Sequence, residues 1–228
     1  MNTIVVFLFM SEEMRNWAVI TGAGTGIGAA LAKELAHHDL HVLVIGRRLE
    51  PLQETQRHAP DNIHPLAVDI ATTDGQTNIL EFIPESDVVK YYQILVQNAA
   101  VGVPSRLQDI QHDDFEYAFA VNVTAPLMLA KGSFLRLNKN QGRIIHIGTG
   151  VAKMPQLGTI TYGVTKMAFQ RLYEQLVVEF DGMQVQIAEV HPGVVDTEGL
   201  WEHVKLAKEH RFPHVWYFDQ VQNLQPSF

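Results

Sequence analysis

The chain has 228 residues, 46% of them hydrophobic, enough to fill the core of one good-sized domain and inconsistent with intrinsic disorder. A formal net charge of −8, with the 17 Lys and Arg scattered along the chain, argues against nucleic acid and anionic membrane as partners. The lack of cysteine excludes disulfide frameworks and thiolate metal sites and fits a reducing, cytoplasmic setting.

The opening "MNTIVVFLFM" has no basic flank and no small-residue cleavage site, and its apolar run is too short to span a membrane. Residues 1–13 are expected to be an appendage of unknown role, ahead of a single domain over 14–228.

From residue 16 short apolar runs alternate with helical patterns. "NWAVIT" predicts a strand, and "GAALAKELAHH" a helix closed by His37 and His38, which complement its dipole. "HVLVIG", "IHPLAV" and "YYQILVQ" predict the next three strands, with helices over "LEPLQETQRHA" and "GQTNILEFI" between them. Residues 113–137 predict a long helix bent near Pro126, "GRIIHIG" a fifth strand, 158–180 another long helix, and "VQIAEVHP" a sixth strand. Strands that are apolar throughout and alternate with helices imply a parallel sheet covered on both faces, hence a doubly wound, Rossmann-like α/β fold. Six strands are legible; a seventh edge strand is not.

Two stretches suggest chemistry. "TGAGTGIG" joins the first strand to the first helix, where backbone N–H groups can meet a phosphate, although such a loop also serves as a plain turn. "TYGVTK" places Tyr162 and Lys166 four residues apart, on one face of a helix. An ammonium beside a phenol favours the phenolate and readies it for proton transfer, although Tyr-x-x-x-Lys is also common on helix surfaces.

Together these motifs resemble the short-chain dehydrogenase/reductase family, with its TGxxxGxG loop and YxxxK pair, over about residues 15–198. The resemblance implies a nicotinamide cofactor on Gly22, Thr25, Gly26, Ile27 and Gly28, with Asp69 and Ile70 beside adenine. Asn98 and Ala99 match the family's NNAG, while Gln97 and Ala100 depart from it. "HPGVVDT" is similar to PGxxxT and adds Pro192, Gly193, Val195 and Thr197, with the Val195 backbone at the carboxamide and Thr197 near the nicotinamide. The family's Ser, 13 residues before the Tyr, is Thr149 here, and its Asn, 40 residues before, is Asn122.

The implied mechanism moves hydride between nicotinamide and a carbonyl carbon. Tyr162 is the general acid/base, and Thr149 holds the oxygen. Lys166 binds the ribose and lowers the Tyr162 pKa, and Asn122 holds a water that links Lys166 to solvent. Gly46 stands where an NAD-selecting acid would be, and Arg47 and Arg48 follow it, so NADP(H) is favoured over NAD(H).

The eleven His form no His-Glu-x-x-His pair, so no metal is expected, and His146 is expected to be structural or pocket-lining. A substrate cap is expected around 198–218, carried by a helix with Leu200, Val204 and Ala207 on one face. Residues 101–103 and 151–157 should line the same pocket. Trp201, Phe212, Trp216 and Phe218 suggest an apolar or aromatic substrate, or they pack on the core. The resemblance also implies a homodimer or homotetramer built on the two long helices. The resulting reading is an NADP(H)-dependent reductase or dehydrogenase acting on a small-molecule carbonyl or secondary alcohol. The alternative is a catalytically weak dinucleotide-binding protein with a sensing or interaction role.

Overall fold

In the computed structural model, which describes residues 16–83 and 92–213, strands and helices alternate along the chain. The strands are β1 (Trp17–Thr21), β2 (His41–Gly46), β3 (Ile63–Ala67), β4 (Tyr92–Gln97), β5 (Arg143–Ile147) and β6 (Gln186–Val190). The helices are α1 (Gly26–His37), α2 (Leu49–Gln56), α3 (Thr73–Phe82), α4 (His112–Phe119), α5 (Ala125–Lys139), α6 (Ile160–Glu179) and α7 (Glu198–Glu209). All six strands are parallel and ordered β3-β2-β1-β4-β5-β6. This is the expected doubly wound sheet. The strand order reverses between β1 and β4, and a cleft for a ligand belongs at the carboxyl ends of those strands.

Alternation along each strand feeds two cores. Val19, Leu43, Leu95 and Ile144 pack with Leu129 and Leu137 of α5 and Leu176 of α6. Ala18, Ile20, Val42, Val44 and Val96 face the other way, onto Ala32 and Ala36 of α1 and Leu52 of α2. Both faces are apolar, so the central strands read as unbroken hydrophobic runs. The stretch His112–Lys139 is long and apolar enough to cross a membrane, but its apolar face is buried on the sheet.

That stretch is interrupted just before Pro126. Residues Ala120–Thr124 form a π turn between α4 and α5, with the Ala125 N–H donating to Ala120 O. Pro126 lies within the first two positions of α5. Proline has no N–H to return to the carbonyl four residues back, that of Asn122, and its ring crowds that carbonyl, so the strain falls on the preceding turn. The expected appendage over 1–13, Tyr91 of the expected fourth strand, and Trp216 and Phe218 of the expected cap lie outside the described residues.

Candidate active site

The loop after β1 is tied to the end of β4. Thr21 Oγ1 accepts from the Asn98 and Ala99 N–H groups, each at 3.1 Å, and Asn98 Nδ2 donates to Thr21 O and Gly22 O, each at 3.0 Å. This close approach requires glycine. Gly22 has φ +66°, and a Cβ there would lie 2.8 Å from Ala99 Cα; a Cβ on Gly28 would lie 2.4 Å from Gly22 O. α1 then starts at Gly26 with Thr25 as its N-cap, no side-chain capping bond and no acid in its first turn. Its first N–H groups and positive dipole end are therefore suited to an anion.

A cleft of about 420 Å³ opens over this loop. Its walls include Gly22, Thr25, Gly26, Ile27, Arg47, Arg48, Asp69, Ile70, Asn98, Ala99 and Thr197, which brings together eleven of the positions expected to bind cofactor. Gly28 is buried beneath it, and Pro192, Gly193 and Val195 lie on the segment that leads to Thr197 without forming its walls. An elongated, phosphate-bearing nucleotide fits this arrangement of glycine loop, helix end and paired arginines.

At one end of the cleft three side chains form a chain. Arg47 Nη1 donates to Tyr117 Oη at 3.1 Å, with its guanidinium 5.7 Å from the ring centroid. Tyr117 Oη donates to Asp69 Oδ2 at 2.9 Å, and Asp69 Oδ1 accepts from the Ala71 N–H at 2.9 Å. Burial, and then the bond to Asp69, push the Tyr117 phenol up and keep it a donor. The sequence reading missed Tyr117, which belongs to no motif.

Tyr162 and Lys166, also expected to bind cofactor, do not form the walls of this cleft; they occupy the first turns of α6, and Thr149 follows β5 as the N-cap of the short turn Gly150–Ala152. Burial raises the Tyr162 pKa, and the neighbouring Thr149 hydroxyl, the smaller effect, draws it down. The expectation that Lys166 lowers the Tyr162 pKa needs correction for this arrangement. Lys166 Nζ stands 6.0 Å from the Tyr162 ring centroid and donates to Ile147 O at 2.9 Å. Burial brings Lys166 down to about 8, and Glu189 opposes that fall.

Asn122 sits in the π turn. Its Oδ1 accepts from the Val101 N–H at 2.8 Å, and its Nδ2 donates to Val101 O at 2.7 Å and Thr165 Oγ1 at 2.8 Å. Its side chain therefore joins the segment after β4 to α6. That segment presses on the site: a Cβ on Gly102 would lie 2.6 Å from Tyr162 Cβ.

In the cap region, Val204, Ala207 and Phe212 form a small buried cluster with Leu200 and Trp201 against it, and the Phe212 ring packs on Gly158. Phe212 thus packs inward. Among the described residues no group of three or more His, Asp or Glu is placed to hold a metal. His146 is fully buried, its ring stacked on Phe169 at 4.4 Å. Glu189, also missed in the sequence, stands beside it on β6.

Sheet order, glycine loop and Tyr–Lys pair define a Rossmann-type nucleotide-dependent oxidoreductase. The chain belongs to the short-chain dehydrogenase/reductase family: the family profile described as short chain dehydrogenase matches residues 16–206. It is 31% identical over 189 residues to the uncharacterized oxidoreductase YvaG of Bacillus subtilis (strain 168), covering 80% of this chain and 69% of that protein. It is 27% identical to serine 3-dehydrogenase of Agrobacterium fabrum (strain C58 / ATCC 33970), covering 81% and 74% of the two chains. Among solved structures, a metagenomic short-chain oxidoreductase in complex with NADP superposes with a TM-score of 0.73 at 27% identity, covering 80% of this chain and 84% of that one.

Proposed function

We propose that the protein is an NADP(H)-dependent oxidoreductase that interconverts a small-molecule carbonyl and a secondary alcohol, with Tyr162 as general acid/base. The observation that carries this reading is the grouping of Tyr162, whose pKa the neighbouring Thr149 hydroxyl draws down, with the buried Lys166, whose Nζ lies 6.0 Å from the Tyr162 ring centroid. The bound nicotinamide supplies or accepts the hydride. In the reducing direction Tyr162 Oη gives its proton to the carbonyl oxygen, and in the oxidising direction it takes the proton back. The Thr149 hydroxyl holds and polarises that oxygen. Lys166 binds the nicotinamide ribose and places positive charge near the phenolate left when the proton departs. Val195 and Thr197 would meet the nicotinamide end, and Asn122 would hold a water on the way from Lys166 to solvent.

NADP(H) is favoured over NAD(H) because Arg47 and Arg48 flank the cleft directly after Gly46. The metagenomic relative bound to NADP supports the same preference. The substrate is apolar or aromatic, and the setting is cytoplasmic. A homodimer or homotetramer through α5 and α6 is supported by exposed Leu135 and Val178, at 76% and 69%. The reading as a catalytically weak binder is not favoured, since Tyr162, Thr149 and Lys166 converge.

The test is to titrate the purified chain with NADPH and NADH, following tryptophan emission, and then to screen carbonyl substrates with the wild type and Tyr162→Phe. NADPH-selective binding, turnover by the wild type and at least a ~10³-fold loss in Tyr162→Phe with binding within about threefold are expected. Unchanged turnover in Tyr162→Phe would remove Tyr162 from its role, and failure to bind either nucleotide would reject the reading as a whole.

A further inference from the structure

A carboxylate stands behind Lys166. Glu189 is paired in register with His146 across β5 and β6, and its side chain is only 9% exposed. In-register neighbours on parallel strands share a face of the sheet. His146 stacks on Phe169 of α6, so Glu189 also faces α6. From that helix Lys166 Nζ approaches the same ground, 4.6 Å from the Phe169 ring centroid and 2.9 Å from the carbonyl of Ile147, the residue after His146. The next residue, Gly148, makes room: a Cβ there would lie 2.7 Å from Glu189 Oε1. The outward side of the carboxylate is closed by His191, whose Nε2 lies 2.9 Å from Glu189 Oε2.

We propose that Glu189 is a positioning residue for Lys166: its carboxylate keeps the buried ammonium charged and seated on the Ile147 carbonyl beside Tyr162. The other groups on the described elements around Lys166 do not replace it. His146 of β5 is held neutral by burial, its pKa pushed down to about 3, and the neighbouring Lys166 pushes it the same way. Tyr162 of α6 is kept protonated by burial, Asn122 of the π turn is uncharged, and His191 lies on the far side of Glu189. Glu189 thus opposes the desolvation of Lys166.

The proposal rests on the assignment of Lys166 to the site, but its test needs no turnover. In the ligand-free full chain with isotope-labelled lysine, the side-chain NMR signal of Lys166 is assigned by its loss in Lys166→Met and followed against pH. In Glu189→Gln the titration midpoint should fall by about one pH unit, and in Glu189→Asp by less. The alkaline limb of the rate profile should move down with it while KM for nucleotide at pH 6 stays within about threefold. A midpoint unchanged in Glu189→Gln, with native circular dichroism, would overturn the proposal. If that variant does not fold, Glu189→Asp decides, and an unchanged midpoint there overturns it equally. A shifted midpoint in a chain that reduces no carbonyl would uphold the positioning of Lys166 and sink only the proposed reaction.

Discussion

Asn122 and Val101 exchange two hydrogen bonds, side-chain amide to backbone amide, at 2.8 and 2.7 Å. The pairing imitates a rung of a β-ladder inside a helix-rich region, and the remaining Asn122 proton bonds Thr165 on α6. One residue thereby fixes the segment after β4 against the helix that carries Tyr162 and Lys166.

Asn122→Ala should therefore cost about 2–4 kcal/mol, seen as a lower urea midpoint at unchanged m-value, and should lower turnover as well. Asn122→Asp should do no better, because an acceptor would then face Val101 O. Wild-type stability in the Asp variant would show that the amide protons are not what matters.

Gly28→Ala tests the packing under the cleft. The added methyl would lie 2.4 Å from Gly22 O, a backbone atom, and 2.6 Å from Asn98 Nδ2, an amide held by its bonds to Thr21 O and Gly22 O. Nucleotide affinity should fall at least tenfold and stability by roughly 2–3 kcal/mol. Calorimetric binding at wild-type strength would show that the loop yields without cost.

Arg47→Ala should weaken NADPH by about 30-fold and NADH by less than about threefold, since only the former offers a 2′-phosphate to the guanidinium. Tyr117→Phe removes the hydroxyl between Arg47 and Asp69 and should lower the NADPH preference by a few-fold. Equal losses for both nucleotides in Arg47→Ala would remove the 2′-phosphate argument.

Acid should destabilise the fold through its buried imidazoles. Burial lowers the His146 pKa to about 3, against about 6.5 in the unfolded chain. For a histidine depressed on folding, the stabilisation is complete above the unfolded pKa and is lost as pH falls through 6.5 toward 3. The loss over that window is roughly 3–5 kcal/mol for His146. His64, lowered by burial and by His41 beside it, contributes with the same sign. Chemical denaturation from pH 7.5 to 4.5 should show this slope, flattened in His146→Asn; an unchanged slope in that variant would place the acid sensitivity elsewhere.

What the sequence disclosed follows from how far each signal travels along the chain. Unbroken apolar runs such as "WAVIT" report a strand buried on two faces, so six strands and their parallel arrangement were legible. The glycine loop and the Tyr162–Lys166 pair are local patterns and were legible for the same reason. Tyr117 was not, because Arg47, Asp69 and Tyr117 come from three separate segments that meet only when the sheet is wound. Glu189 reads as an ordinary alternating strand residue until register sets it opposite His146. The interruption expected near Pro126 is the π turn Ala120–Thr124 just before it, since a proline disturbs the turn before it rather than its own.

Trp17 lies at the amino ends of the strands, far from the nucleotide cleft, in a cluster of three rings. Its indole stands 5.0 Å from the His41 ring and 4.8 Å from the His64 ring, and the two imidazoles share a hydrogen bond at 2.8 Å. Trp201, by contrast, donates from its indole N–H to Asp196, next to the cleft residue Thr197. A protonated imidazole quenches indole emission, so the brightness of Trp17 follows proton uptake by His64, whose pKa burial lowers, whereas Trp201 is tied to the segment that leads to Thr197. Among the described residues, Trp17 and Trp201 are thus optical gauges at opposite ends of one sheet. A nucleotide titration addresses Trp201; an acid ramp without nucleotide addresses Trp17, at the end of the sheet opposite the cleft.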